Sequence, residues 1–285
     1  MPPHPGPLAA GERAQRWPSP FAITVYFQSS DPLSDLAALL LAAVAGLLGG
    51  AMNALAGGGT FATLPALIAL GLPANFANAT SNVALMPGAG ASAWAYRDEL
   101  APVAGLPVRL LAAITFVFGL AGSLLLVLTP TKTFDLLIPW LLLLAFAVMA
   151  FGKRAADWLH ERVSIGRRTL LATQALLGVY GGYFGGGVGL ITTALYGLLA
   201  NIRPRELFAI RTAMLAVANL AAALVFVAFN MVRWWACLPM LLGAIAGGWL
   251  GAAVGKRLSP RAVRLWTLVV TGTTTVVFFV RAYGG

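Results

Sequence analysis

Reactive and metal-binding side chains are nearly missing from this sequence, which has one cysteine and two histidines. Cys237 stands alone in an apolar segment, so no intramolecular disulfide can form. His4 lies in the N-terminal stretch and His160 in a loop, neither with companions at metal-ligand spacing. No metal site and no cofactor are expected. Charge is also scarce, at 10% of residues against roughly a quarter in soluble domains. All nine acids (Glu12, Asp31, Asp35, Asp98, Glu99, Asp135, Asp157, Glu161 and Glu206) fall in the N-terminal stretch, in loops or at the ends of apolar segments. An intramembrane enzyme needs a nucleophile–base pair or a metal cluster at depth. With no histidine in any apolar segment that reading is disfavoured, and so is a carboxylate proton relay.

What the chain does have is apolar sequence, 59% of its 285 residues, with mean hydropathy +0.84. It reads as an integral, multi-pass membrane protein. The net charge of +10 is spread over short loops. That is the pattern of orientation signals and lipid-headgroup contacts rather than of a nucleic-acid surface.

Residues 1–35 differ from the rest. Pro2, Pro3, Pro5, Pro7, Pro18 and Pro20 prevent one continuous helix, and a disordered or surface-lying tail is expected. Two similar blocks follow, 36–152 and 170–285, joined by a basic linker at 153–169. In the first block, Leu36–Ala56 runs into Gly57-Gly58-Gly59-Thr60. The short piece Phe61–Leu70 comes next, then Asn75–Tyr96, Val108–Leu128 and Leu136–Phe151. In the second, Leu170–Phe184 runs into Gly185-Gly186-Gly187-Val188. Leu190–Ala200 follows, then Glu206–Asn230, Trp235–Val254 and Val263–Val280. A bilayer span needs roughly 20 residues, so the two short pieces read as half-helices.

Charge separates two topologies. If each glycine-broken region enters and leaves on one side, each block adds three spans to its hairpin and the second block is inverted. The cytoplasmic loops then hold Arg97, Arg109, Lys153, Arg154, Arg162, Arg167, Arg168, Arg203, Arg205, Lys256, Arg257, Arg261 and Arg264. The outer side holds Arg13, Arg16, Lys132, Arg233 and Arg281. If each broken region crosses once instead, Arg203, Arg205 and the 256–264 group move outside, against the positive-inside rule. The expected fold is therefore an all-α polytopic membrane protein of two inverted repeats. Each is a glycine-broken re-entrant helical hairpin plus three transmembrane helices.

Glycine triplets break helices. In lipid a broken backbone is tolerated only where protein or a water-filled cavity satisfies it. Matching breaks in two halves point to a transporter's binding site. The amides freed at Gly57, Gly58, Gly59 and Thr60, and at Gly185, Gly186 and Gly187, suit a negative group at a helix N-terminus. Asn53, Asn78, Thr80, Ser81 and Asn82 in the first half, with Arg211 and Thr212 in the second, are candidates to complete the site. For the hydroxyls, the competing reading is back-bonding to a carbonyl one turn earlier. For Arg211 it is snorkelling to the interface; otherwise Arg211 is a fixed cation for an anionic substrate.

The run Gly57-Gly58-Gly59-Thr60-Phe61-Ala62-Thr63-Leu64-Pro65-Ala66-Leu67, followed by Ala77-Asn78-Ala79-Thr80-Ser81 and Trp94-Ala95-Tyr96-Arg97, resembles the sulfite exporter TauE/SafE family. Gly178-Val179-Tyr180-Gly181-Gly182-Tyr183-Phe184-Gly185-Gly186-Gly187, followed by Ala209-Ile210-Arg211-Thr212, is similar in the second half. The proline that follows the glycine run in that family is Pro65 in the first half, while Thr193 stands there in the second. Arg211 occupies a place usually held by a small residue. The resemblance implies a bacterial inner-membrane permease that moves sulfite, organosulfonates or other small sulfur-containing anions. The combined expectation is a non-enzymatic exporter of a small anion, working by alternating access around a midplane site made by the two broken hairpins. The rival is an anion-binding scaffold or sensor that does not transport. Expected partners are the small anion and the lipid bilayer, without nucleic acid; a homodimer is left open.

Overall fold

A computed structural model describes residues 32–160, 167–199, 204–255 and 259–284. The tail at 1–31, with Arg13 and Arg16, lies outside the described residues, as do 161–166, Arg203, Lys256 and Arg257. The side chains of Lys153, Arg154 and Arg205 are likewise not described. Among the described residues the protein is helical: α1 (Pro32–Leu55), α2 (Thr60–Ala69), α3 (Ala74–Ala95), α4 (Val108–Leu128), α5 (Thr131–His160), α6 (Arg167–Tyr183), α7 (Val188–Leu199), α8 (Pro204–Ala228), α9 (Trp234–Gly255) and α10 (Pro260–Tyr283). Helix extends into both ends of the basic stretch expected as a linker over 153–169. α5 continues to His160 and α6 begins at Arg167, because no glycine or proline interrupts 153–160.

Among the described residues, six helices carry stretches long and apolar enough to cross a membrane: α1, α4, α5, α8, α9 and α10. α1 qualifies by itself, although its sequence reads as one limb of a hairpin. α3 has 22 residues but does not qualify. Its first three turns carry Asn75, Asn78, Thr80, Ser81 and Asn82, all buried, and they lower its hydropathy. α8 is the central helix, with 67% of its span inside the protein against 33% or less for the other five.

Both glycine runs end a helix in the same way. Gly57 has φ +83° and Gly185 φ +72°, left-handed values that favour glycine. The Gly57 amide bonds the Met52 carbonyl at 3.1 Å and the Gly185 amide bonds the Tyr180 carbonyl at 3.3 Å, each five residues back. After the first break the chain doubles back. Gly59 returns to Asn53, and Thr63 of α2 packs on Gly49 of α1.

The broadest interfaces are α1–α9 and α4–α6. Each is a parallel pair lined by small residues. Gly46 and Gly50 abut the Met240 and Ala244 carbonyls, while Gly243 and Gly247 abut those of Ala43 and Leu47. In the other pair, Gly122 meets the Val179 carbonyl and Gly182 that of Gly119. In lipid there is little hydrophobic drive between helices, so close backbone approach supplies the attraction. Two further pairs run antiparallel. α3 meets α8 through Tyr96 on Phe208 (ring centroids 4.7 Å apart) at one end and Thr80 beside Arg233 at the other. α5 meets α10 through Asp135 with Arg281 (3.7 Å) and Ala150 with Arg264 (3.1 Å). Exchanging α1–α5 for α6–α10 maps α1–α9 onto α6–α4, and pairs α3 with α8 and α5 with α10.

A side chain at Gly247 would overlap the Leu47 carbonyl, which is backbone and cannot rotate away. Gly247→Ala is expected to destabilise by about 1–3 kcal/mol, as overpacking does. Gly90→Ala, in α3 with nothing within 4 Å of an added Cβ, should instead gain about 0.5–1 kcal/mol. Thermal unfolding of the purified variants checks the contrast. Equal midpoints would mean that the α1–α9 contact does not limit stability.

Candidate functional site

The two glycine breaks touch. A Cβ on Gly57 would lie 2.8 Å from the Gly189 Cα, and one on Gly189 would lie 2.9 Å from the Gly57 Cα. Here the backbones of the two halves meet with no side chain between them. Phe61, 1% exposed, closes one side of the contact. Side chains added at Gly58 or Gly187 would both meet its ring, and Leu190 also covers Gly58. Gly186 is held through its carbonyl, which accepts from the Tyr180 hydroxyl at 2.8 Å, with the Leu141 carbonyl 3.1 Å from the same hydroxyl.

The first-half candidates gather around these breaks, and most have protein partners. Asn53 accepts from the Gly59 amide through Oδ1 at 2.7 Å, so it caps the break. Asn78 donates to the Tyr183 carbonyl at 3.1 Å. Asn82 donates to the Phe184 carbonyl at 3.3 Å and lies against Gly185. These two residues of α3 thus satisfy carbonyls at the end of α6, in the other half. Thr80 accepts from the Arg233 amide at 3.0 Å and fixes the α8–α9 turn. Ser81 pairs with Thr63, their hydroxyl oxygens 2.5 Å apart. Thr60 is buried at the start of α2. In the second half, the Thr212 hydroxyl returns to its own helix and donates to the Phe208 and Ala209 carbonyls.

Arg211 differs from all of these. It is 6% exposed, so it does not extend to the surface. Its guanidinium lies over the Phe208 ring, 4.0 Å from the centroid, a favourable cation–π placement. Nε and Nη2 are buried and have no hydrogen-bond partner. These nitrogens share one edge of the guanidinium, and their N–H bonds form the parallel fork that grips two oxygens of an oxyanion. One turn further along α8, Leu215 clusters with Val188, the first residue after the second glycine run. Arg211 is therefore roughly 6 Å along the helix axis from the break, towards the α8 N-terminus. No hydrogen bond joins it to the glycines.

Other buried polar atoms also lack partners: Asn78 Oδ1, Thr192 Oγ1 and Asn219 Oδ1. Sequence reading passed over Thr63, Tyr180, Gly189, Thr192 and Asn219. Gly189 had a signal, since the run continues as Gly187-Val188-Gly189. The other four carry none, because a polar residue in an apolar helix does not show which way it faces. Among the described residues there is no cluster of histidine, cysteine or carboxylate able to hold a metal ion.

A family model described as "Sulfite exporter TauE/SafE" matches residues 42–278. A "Probable membrane transporter protein" of Haemophilus influenzae is 28% identical over 242 residues, covering 83% of this chain and 93% of the relative. The "Probable membrane transporter protein ORF9" of a Sinorhizobium species is 30% identical over 236 residues, covering 79% and 85%. The "Probable membrane transporter protein YfcA" of Escherichia coli K12 is 25% identical over 239 residues, covering 84% and 88%. No solved structure shows a significant match. With its span-length apolar helices and a family match over most of its length, this multi-pass membrane protein belongs to the sulfite exporter TauE/SafE family of transporters.

Proposed function

We propose that the protein exports a small sulfur-containing oxyanion, sulfite or an organosulfonate, across a bacterial inner membrane by alternating access. The observation that carries this reading is the free Nε–Nη2 edge of Arg211, a buried cation with its oxyanion-binding fork unoccupied by protein. A buried charge is costly, and a bound anion supplies both the missing charge and the missing acceptors. The glycine breaks lie about one helical turn away, where the two halves meet backbone to backbone. Gly57–Thr60 and Gly185–Gly187 form the rim of this site in the proposal. Asn53, Asn78, Thr80, Ser81, Asn82 and Thr212 hold the broken segments in shape around it.

The membrane arrangement in the proposal is two inverted repeats, each entering with a re-entrant hairpin. The antiparallel α3–α8 and α5–α10 pairs support it, as does the reversal of the chain at Gly57–Gly59. Arginines 97, 109, 167, 168, 261 and 264 then face the cytoplasm, with Lys132, Arg233 and Arg281 outside. That distribution obeys the positive-inside rule. An inside-negative potential drives each exported negative charge outward with about 2.3 kcal/mol per 100 mV, so export needs little further coupling.

Arg211→Gln should weaken sulfite binding by about tenfold to a hundredfold, the worth of a hydrogen bond to a charged group (about 1.5–3 kcal/mol). Arg211→Lys should recover only part of it, since an ammonium keeps the charge but not the planar fork. Binding to purified protein, alongside sulfite flux in proteoliposomes, tests both the site and the transport. Wild-type affinity in Arg211→Gln would remove this residue from the site. Binding without flux would make the protein an anion sensor.

Gly57→Val should abolish flux, with much of the protein still inserted. It forces a β-branched residue to positive φ and drives a side chain into Gly189. Normal flux in that variant would show that the two breaks do not need to meet.

A further inference from the structure

Among the described residues, Thr192 is the threonine whose hydroxyl is buried without a hydrogen-bond partner. Thr115, Thr212, Thr267 and Thr271 each donate to the carbonyl four residues back. Thr193, the next residue on α7, does the same to Gly189 at 2.7 Å. Thr192 is 0% exposed and its hydroxyl has no partner. A buried hydroxyl without a hydrogen bond is a standing cost to the fold, and helical threonines ordinarily avoid it by back-bonding.

α7 and α8 are separated by residues 200–203, too few for anything but antiparallel neighbours. Pairing outward from that short connection sets 188 against 215, in agreement with the small cluster that holds Val188 and Leu215 together with Ala89. The same register sets Thr192 level with Arg211. Two fully or nearly buried side chains with unmet hydrogen-bonding capacity thus share one level of one helix pair.

The first half has no such feature. Counting from the first residue after each glycine run, Leu64 corresponds to Thr192. The hydroxyls available there, Thr63 and Ser81, bond each other.

We propose that Thr192 is the third anchor of the anion site and sets its preference for head groups with three oxygens. This rests on the anion-export reading above and goes further into the same site. The Arg211 fork takes two oxygens of a sulfite or sulfonate, and the Thr192 hydroxyl donates to the third. A carboxylate has only two oxygens. With both in the fork it leaves Thr192 unpartnered, so a carboxylate of the same charge and size is the weaker ligand. Both side chains that grip the head group belong to the second half, so one head group binds per chain.

The test uses methanesulfonate and acetate, each a monoanion with one methyl group, titrated onto the purified full-length protein. Wild type should prefer methanesulfonate. Thr192→Val, nearly isosteric, should lose about tenfold in methanesulfonate affinity, the lower end for a hydrogen bond to a charged group. Its acetate affinity should not change. Thr192→Ser keeps the hydroxyl and should stay close to wild type. Without ligand, Thr192→Val should unfold no earlier than wild type, because it removes an unmet buried donor.

Unchanged methanesulfonate affinity in Thr192→Val would overturn the proposal. So would an equal loss in Thr192→Ser, or early unfolding of ligand-free Thr192→Val, since each would make the residue a packing element. Anion binding that depends on Arg211 but ignores Thr192 sinks this inference alone. A wild type that binds neither methanesulfonate nor sulfite sinks the export reading with it.

Discussion

Inside a bilayer, a helix that stops must have its open backbone satisfied by protein. Much of this structure follows from meeting that demand twice. At Gly57 and Gly185 the terminal amides fold back onto carbonyls of their own helix, and several further groups are met from elsewhere. Asn53 takes the Gly59 amide, Tyr180 donates to the Gly186 carbonyl, and Asn78 and Asn82 cross from α3 to the carbonyls that end α6. Polar side chains in an apolar helix are thereby accounted for, and the halves are tied together at the point where each is weakest.

The breaks can meet only because the long helices hold their places. α1 with α9, and α4 with α6, pack glycine against carbonyl along parallel pairs. Contacts this close leave no space for a methyl group, so these pairs behave as rigid units. The Gly57–Gly189 contact is a further meeting of the halves, made there by the backbones beside the two breaks.

Arg211 and Thr192 lie where this satisfaction fails. Most neighbouring polar side chains are paired, yet an arginine edge and a threonine hydroxyl are not, nor are single carbonyl oxygens of Asn78 and Asn219. Unmet groups persist in a folded protein when function needs them, because filling them would stabilise the resting state at the expense of the ligand.

Composition and periodicity were enough to determine the class of this protein. Its scarce charge, its apolar segments and the repeated glycine runs predicted a multi-pass helical membrane protein in two similar blocks, because a bilayer admits few solutions for such a chain. The glycine runs also located the helix ends to within a residue or two. Side-chain direction was beyond the reach of sequence. Thr80, Ser81 and Asn53 read as site residues by type, but packing gave each a protein partner. Thr192 read as one apolar-helix threonine among many, and only the pairing of α7 with α8 set it level with Arg211. Hydrogen-bond satisfaction depends on neighbours far apart in the chain, so which polar groups remain free was decided by the tertiary structure alone.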